Sequence, residues 1–119
     1  MPHLRIETNI SKEKFTSNFL VDTTDVIAKA LGKPKSYCVV SAIPDLPMAW
    51  GGTTEPAAIV TLMSIGQLGV EPNKKISKVL SEHFEKTLQL PKTRVYINFI
   101  DAASKDVGYD GTTFKEILG

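Results

Sequence analysis

The stretch that could do chemistry opens the chain, with the proline at position 2. Removal of Met1 would leave its ring nitrogen as a secondary amine, a group that takes up and returns protons near neutral pH. Leu4 and Ile6 alternate with His3, Arg5 and Glu7, the period-two pattern of a strand with one buried face. The amine would then sit at the tip of a fixed strand. The plain alternative is that Pro2 is only a common second residue on a disordered end. The single cysteine, Cys38, lies in an apolar run and reads as a small core residue. One thiol excludes an internal disulfide and any metal site built from several thiolates. His3 and His83 have no acid or thiol at ligand spacing, so no metal and no other cofactor is expected. Trp50, beside Gly51 and Gly52, suits an exposed contact and core packing equally.

The whole chain must supply the frame that holds such groups. Its 119 residues correspond to a single domain, 1–119, which should bury about two thirds of the surface of the unfolded form. Hydrophobic residues at 42% and charged residues at 23% are ordinary for a globular protein, which argues against a disordered or fibrous chain. A net charge of +1 with no block of like charge leaves no footprint for nucleic acid or an anionic membrane. No apolar run approaches the roughly eighteen residues that insertion in a membrane requires. The first residues lack the basic and apolar regions of a signal peptide. The expectation is a protein that is cytoplasmic and, if secreted, secreted without a signal peptide.

Periodicity assigns the elements. After the first strand, Ser11 is a plausible cap, and Phe15, Phe19, Val26, Ile27, Ala30 and Leu31 recur at helical spacing, predicting a helix over about 11–31. Gly32 and Pro34 end it. Residues 37–43 read as a strand, residues 44–56 as a loop with a turn at Gly51-Gly52, and residues 57–65 as another strand. Pro72 suits a first helical turn. Ile76, Val79, Leu80, His83, Phe84, Thr87 and Leu88 then follow at three- and four-residue steps, with His83 on the apolar stripe as a partly buried residue needing a hydrogen-bond partner. Residues 94–100 form a strand with Val95, Ile97 and Phe99 on one face and Tyr96 and Asn98 on the other. Asp110-Gly111 signals a hairpin, and residues 115–119 are read as a tail.

A shift of about fifty-seven residues lays Leu31, Pro34, Lys35, Val40 and Ile43 over Leu88, Pro91, Lys92, Ile97 and Ile100, and Ile27 over Phe84. This predicts an α/β (α+β) fold of duplicated βαβ units, pseudo-repeats at about 1–50 and 57–101, followed by a hairpin and tail at 105–119. Two such units make a four-stranded mixed sheet with both helices on one face. The other face, carrying apolar residues, would call for assembly.

Several stretches in fixed order resemble the macrophage migration inhibitory factor (MIF) family, within the tautomerase superfamily. They are Met1-Pro2, Thr8-Asn9, Gly32-Lys33-Pro34 with Tyr37, residues 48–56 (MAWGGTTEP), Ser64-Ile65-Gly66, residues 94–98 (RVYIN) and residues 106–114 (DVGYDGTTF). The match spans nearly the whole chain. Tyr96, Ile97, Asn98 and the late Gly-Thr-Thr-Phe look more like the MIF branch than the D-dopachrome tautomerase branch. The resemblance implies a homotrimer whose edge strands join neighbouring sheets. It implies keto-enol tautomerisation of phenylpyruvate-type aromatic keto acids and of dopachrome, with Pro2 as base. It also implies a leaderless secreted cytokine engaging a CD74-type receptor.

By that resemblance Lys33 lowers the proton affinity of the Pro2 amine and holds the substrate carboxylate; its ordinary reading is a solvated cation at a helix C-terminus. Ile65 and Tyr37 would line the same pocket. Tyr96 and Asn98 would reach the neighbouring subunit's proline, although a merely polar sheet face would look the same in sequence. Val107, Tyr109 and Phe114 would wall the substrate ring, with Tyr109 where tryptophan is common in the family. Where some members carry Cys-x-x-Cys, this chain has Ala57, Ala58, Ile59 and Val60, so thiol-disulfide exchange there is excluded. Lys12 and Asp45 align with positions used toward chemokine receptors. Two other readings stand beside the enzyme: a signalling trimer whose pocket is incidental, and a ferredoxin-like small-molecule regulatory domain.

Overall fold

The computed structural model describes residues 1–119. Strand β1 spans His3–Thr8. The first helix, α1, is Ser17–Leu31 and starts later than its periodicity suggests. Ser11 caps only a 3-10 turn at Lys12–Lys14, and the α-helix is capped by Thr16, whose hydroxyl accepts from the Phe19 backbone N–H at 3.1 Å. Gly32 ends α1 in the left-handed conformation, φ 63°. A second 3-10 turn, Lys35–Tyr37, then displaces the start of β2 to Val39–Ile43. Strand β3 is Ala58–Ser64, α2 is Val70–Leu88 with Pro72 in its first turn, and β4 is Val95–Asp101. The hairpin strands β5 (Gly108–Tyr109) and β6 (Thr112–Thr113) flank Asp110-Gly111, both at positive φ. The final residues are not a tail: Phe114–Leu118 forms α3, anchored by the buried Phe114.

The sheet order is β2-β1-β3-β4, with β1 parallel to β2, β3 parallel to β4 and the two pairs antiparallel to each other. This is the mixed sheet of a duplicated βαβ unit. The four buried residues of α1, Phe19, Thr23, Ile27 and Leu31, fall on those of α2, Ile76, Leu80, Phe84 and Leu88, each 57 positions later. The inward residues of β2 and β4 keep this offset, Val40 and Ala42 falling on Ile97 and Phe99, whereas those of β1 and β3 do not. Leu4 and Ile6 are buried in β1, whereas Val60 and Leu62 are buried in β3. Between these two strands that offset would turn those side chains to the wrong face. Both helix stripes and these four strand residues join one apolar core.

Helices cover one face of the sheet. The residues of the other face stand in three cross-strand rows: Val39, His3, Met63, Ile100; Ser41, Arg5, Thr61, Asn98; and Ile43, Glu7, Ile59, Tyr96. The expected apolar face is therefore banded, with a polar middle row. Val39, Ile43, Tyr96 and Ile100 in the flanking rows are 43–62% exposed. Each 100 Å² of such surface withdrawn from water contributes about 2.5 kcal/mol.

A hydrogen bond staples the helices together. Thr23 donates its hydroxyl proton to the Phe19 carbonyl at 2.7 Å, which leaves its oxygen to accept from His83 Nε2 at 2.8 Å. Burial lowers the proton affinity of His83; Asp22 opposes this and Lys86 adds to it. His3 is lowered in the same way, by burial and then by Arg5. The unfolded chain therefore protonates these rings first, near pH 6.5. Stability is full above that pH and falls as pH drops below it. Thermal melts from pH 7.5 to 5 should show this decline, and His83→Gln, which keeps an N–H donor but cannot titrate, should make it shallower, leaving the part due to His3. An equal slope in the variant would place the linkage elsewhere.

Candidate functional site

The tip of β1 is fixed from two sides. The Pro2 carbonyl accepts from the Val39 N–H at 2.9 Å, and the Pro2 side chain is fully buried. In the intact chain the free amine belongs to Met1 and the Pro2 nitrogen is an amide. Burial lowers the amine's proton affinity, Lys33 lowers it further and Cys38 opposes. An amine moved one residue inward, onto the buried Pro2, would be desolvated more strongly.

Lys33 reaches this point because of the turn at Gly32. The Lys33 N–H donates to the Ala28 carbonyl at 3.0 Å, closing the helix, and its Nζ donates to the Ile65 carbonyl at 2.8 Å. One of the three ammonium protons is thus used, and two remain for an anion. Ile65 follows β3 in a loop held by Ser64 Oγ donating to the Gly66 carbonyl, 3.0 Å, and by the Gly66 N–H donating to Asp101 Oδ1, 3.0 Å. Cys38 belongs here too and not inside a strand. It lies between the 3-10 turn and β2, half-buried, with its Sγ 3.5 Å from the Pro34 carbonyl. Burial pushes its thiol up, against the pull of the terminal amine and Lys33.

Tyr37, Tyr109 and Phe114 form one aromatic cluster. Tyr109 stacks on Phe114 at 5.3 Å between ring centroids, and Tyr37 meets both edge-on at 5.4 and 5.6 Å. Phe114 is buried behind the other two and offers little surface of its own. Val107 adjoins the cluster, its carbonyl accepting from the Phe114 N–H at 3.0 Å.

Tyr96 and Asn98 are not brought to this cluster. Tyr96 is level with Glu7, five residues along and two strands across from Pro2. At about 3.3 Å per residue and about 4.8 Å per strand that is roughly 19 Å, and for Asn98, level with Arg5, roughly 14 Å. Both point outward, Tyr96 being 62% exposed. Within one chain neither reaches Pro2. The cavity of the isolated chain, about 420 Å³, lies instead between the helices, lined by Val26, Lys29, Ala30 and Val79.

Comparison with known proteins finds similarity over nearly the whole chain. The family model described as macrophage migration inhibitory factor matches residues 1–115. The chain belongs to the MIF family. It is 43% identical over 116 residues to a macrophage migration inhibitory factor homolog of Trichinella spiralis, covering 96% of this chain and 100% of that one. It is 40% identical over 114 residues to the Xenopus tropicalis macrophage migration inhibitory factor, covering 96% and 99%. The solved Trichinella spiralis structure superimposes with a TM-score of 0.90 at 39% identity, covering 93% of this chain and 98% of that one. A Prochlorococcus marinus homologue superimposes at 0.89 with 30% identity, covering 94% and 98%. The mixed sheet with its two helices is thus the MIF fold, and the chain is MIF-like in the general sense that the family carries.

Two features of this MIF-family chain escape sequence patterns. The guanidinium of Arg94 donates to the carbonyls of Pro56 (2.8 Å), Glu55 (2.9 Å) and Trp50 (3.2 Å), tying the long loop to the start of β4. Asn9 ties the same loop from β1, donating to the Thr54 and Glu55 carbonyls and accepting from the Ala57 N–H. Lys12 and Asp45 also meet on the surface, where the Lys12 backbone N–H donates to Asp45 Oδ2 at 3.2 Å. No helix is long and apolar enough to cross a membrane.

Proposed function

We propose that this protein is a keto-enol tautomerase of phenylpyruvate-type aromatic keto acids and of D-dopachrome, working as a homotrimer with the amine of Pro2 as base after Met1 is removed. The observation that carries this reading is the buried strand tip, where desolvation and Lys33 together lower an amine's proton affinity. A base for this reaction must be unprotonated at neutral pH and still basic enough to take a proton from the carbon next to the carbonyl. Pro2 takes that proton and returns one to the other end of the enol system. The two free ammonium protons of Lys33 hold the substrate carboxylate, and Tyr37 and Tyr109 flank its ring, backed by Phe114 and Val107. Tyr96 and Asn98, too far from their own Pro2, serve the site of the adjacent subunit. Assembly withdraws exposed apolar residues of the outer sheet face, among them Val39, Ile43 and Ile100, from water.

Hydroxyphenylpyruvate and D-dopachrome methyl ester, offered to the protein with Met1 removed, test the reading; absence of turnover with both would refute it. Lys33→Met should raise KM for hydroxyphenylpyruvate about 10- to 100-fold, the worth of a charged hydrogen bond. The same variant should change KM for the methyl ester little, because the ester has no carboxylate. Equal effects on both would remove Lys33 from carboxylate binding.

A second reading is a secreted signalling trimer engaging a CD74-type receptor. Lys12 and Asp45, which meet on an exposed surface remote from Pro2, suit contact with a chemokine-type receptor by the family resemblance, apart from catalysis. Receptor binding unchanged in Pro2→Gly would support it, and loss of binding in that variant would tie signalling to the pocket.

A further inference from the structure

We propose that Trp50 is a positioning residue that holds Tyr96 in the orientation it needs to serve the neighbouring subunit's site. The role presupposes the shared tautomerase site described above. Tyr96 projects from the outer sheet face, where a tyrosine side chain ordinarily samples several staggered rotamers. Here its ring lies against that of Trp50, centroids 4.3 Å apart at 38°. Trp50 can act as a wall only if its own backbone is fixed, and four interactions fix it. Its N–H donates to the Thr53 carbonyl at 2.9 Å, and its carbonyl accepts from the Thr53 N–H at 3.2 Å, the Thr53 hydroxyl at 3.4 Å and Arg94 Nη1 at 3.2 Å. Gly51 and Gly52, φ 60° and 80°, close the tight two-residue turn that makes this pairing feasible. Arg94 precedes Tyr96 by two residues, so one short segment carries both the clamp and the ring being held. A tryptophan on an anchored turn, in tilted ring contact with an exposed tyrosine, restricts that tyrosine more than it stabilises the core.

The test is a double-mutant cycle in the protein with Met1 removed, with oligomeric state and Tm measured for every variant. Trp50→Leu should lower kcat/KM for hydroxyphenylpyruvate about tenfold, the scale of an aromatic pair that orients a contact residue. Trp50→Phe, which keeps a ring on the turn, should stay within about twofold of wild type. Trp50→Leu combined with Tyr96→Ala should be no worse than Tyr96→Ala alone. If Trp50→Leu fails to assemble, Trp50→Gln, which also removes the ring, takes its place in the cycle. An active wild type in which the two losses multiply, or in which Trp50→Phe falls as far as Trp50→Leu, overturns the role of Trp50 and leaves the tautomerase reading standing. A wild type inactive with both substrates overturns that reading and the role together.

Discussion

With Met1 removed, Pro2→Gly should lose 10²- to 10⁴-fold in kcat/KM for hydroxyphenylpyruvate, the usual contribution of a general base, while folding and assembling normally. Glycine would still present an amine at the strand tip, so the loss does not come from deleting the base outright. It comes from exchanging a ring-held secondary amine, packed at the end of β1, for a mobile primary amine. The Pro2 carbonyl's bond to the Val39 N–H survives the change, and the strand below it is unaltered. The pH profile adds a second reading of the same group. An amine whose proton affinity is lowered loses activity on the acid side only once pH falls below its reduced titration point. The wild-type acid limb should accordingly lie below the range of an ordinary terminal amine. A variant with Pro2→Gly and undiminished kcat/KM would place the base elsewhere.

Two inactive variants should restore activity to each other when their subunits are mixed. Pro2→Gly carries only a mobile, poorly placed amine but keeps Tyr96 and Asn98; Asn98→Ala combined with Tyr96→Ala keeps the ring-held base but lacks the groups a neighbour supplies. Denaturing and refolding them together at equal amounts should rebuild the complete pairing at about a quarter of the sites in a cyclic assembly. The physical basis is the register of the sheet, which holds Tyr96 and Asn98 many ångströms from Pro2 within one subunit. A mixture no more active than its components would mean that each site is built from one chain, or that these two residues play no part in it.

Much of the frame was legible because it repeats with a period. The buried stripes of α1 and α2 recur every four residues, and the same spacing appears twice, 57 positions apart. The start of α1 was not legible. Phe15, half-buried and edge-on to Phe19 at 5.3 Å, continues the apolar spacing across a 3-10 turn and a break that only the Thr16 cap reveals. Residues 115–119 are too few to show a period, so their helix depends on Phe114 being buried, a tertiary fact. The strand-like letters around Cys38 concealed a turn that begins just after Pro34.

The candidate site divides in the same way. Pro2, Lys33, Ile65 and Tyr37 could be grouped through a family resemblance, and the fold does set Lys33 on the Ile65 carbonyl near the buried strand tip. The contacts of Trp50 with Tyr96 and with Arg94 join residues more than forty positions apart. No local pattern encodes them. The banding of the outer sheet face likewise emerges only when four strands are aligned, since each strand alone shows simple alternation.

The nitrogen itself is the most direct test. A titration of the Pro2 amine by ¹⁵N NMR in the protein freed of Met1, with intact mass confirming its removal, should give a midpoint below the value of about 8 typical of a free α-amino group. Lys33→Met should move that midpoint upward. A midpoint at or above the ordinary value, in a protein that still turns over hydroxyphenylpyruvate, would contradict the catalytic account.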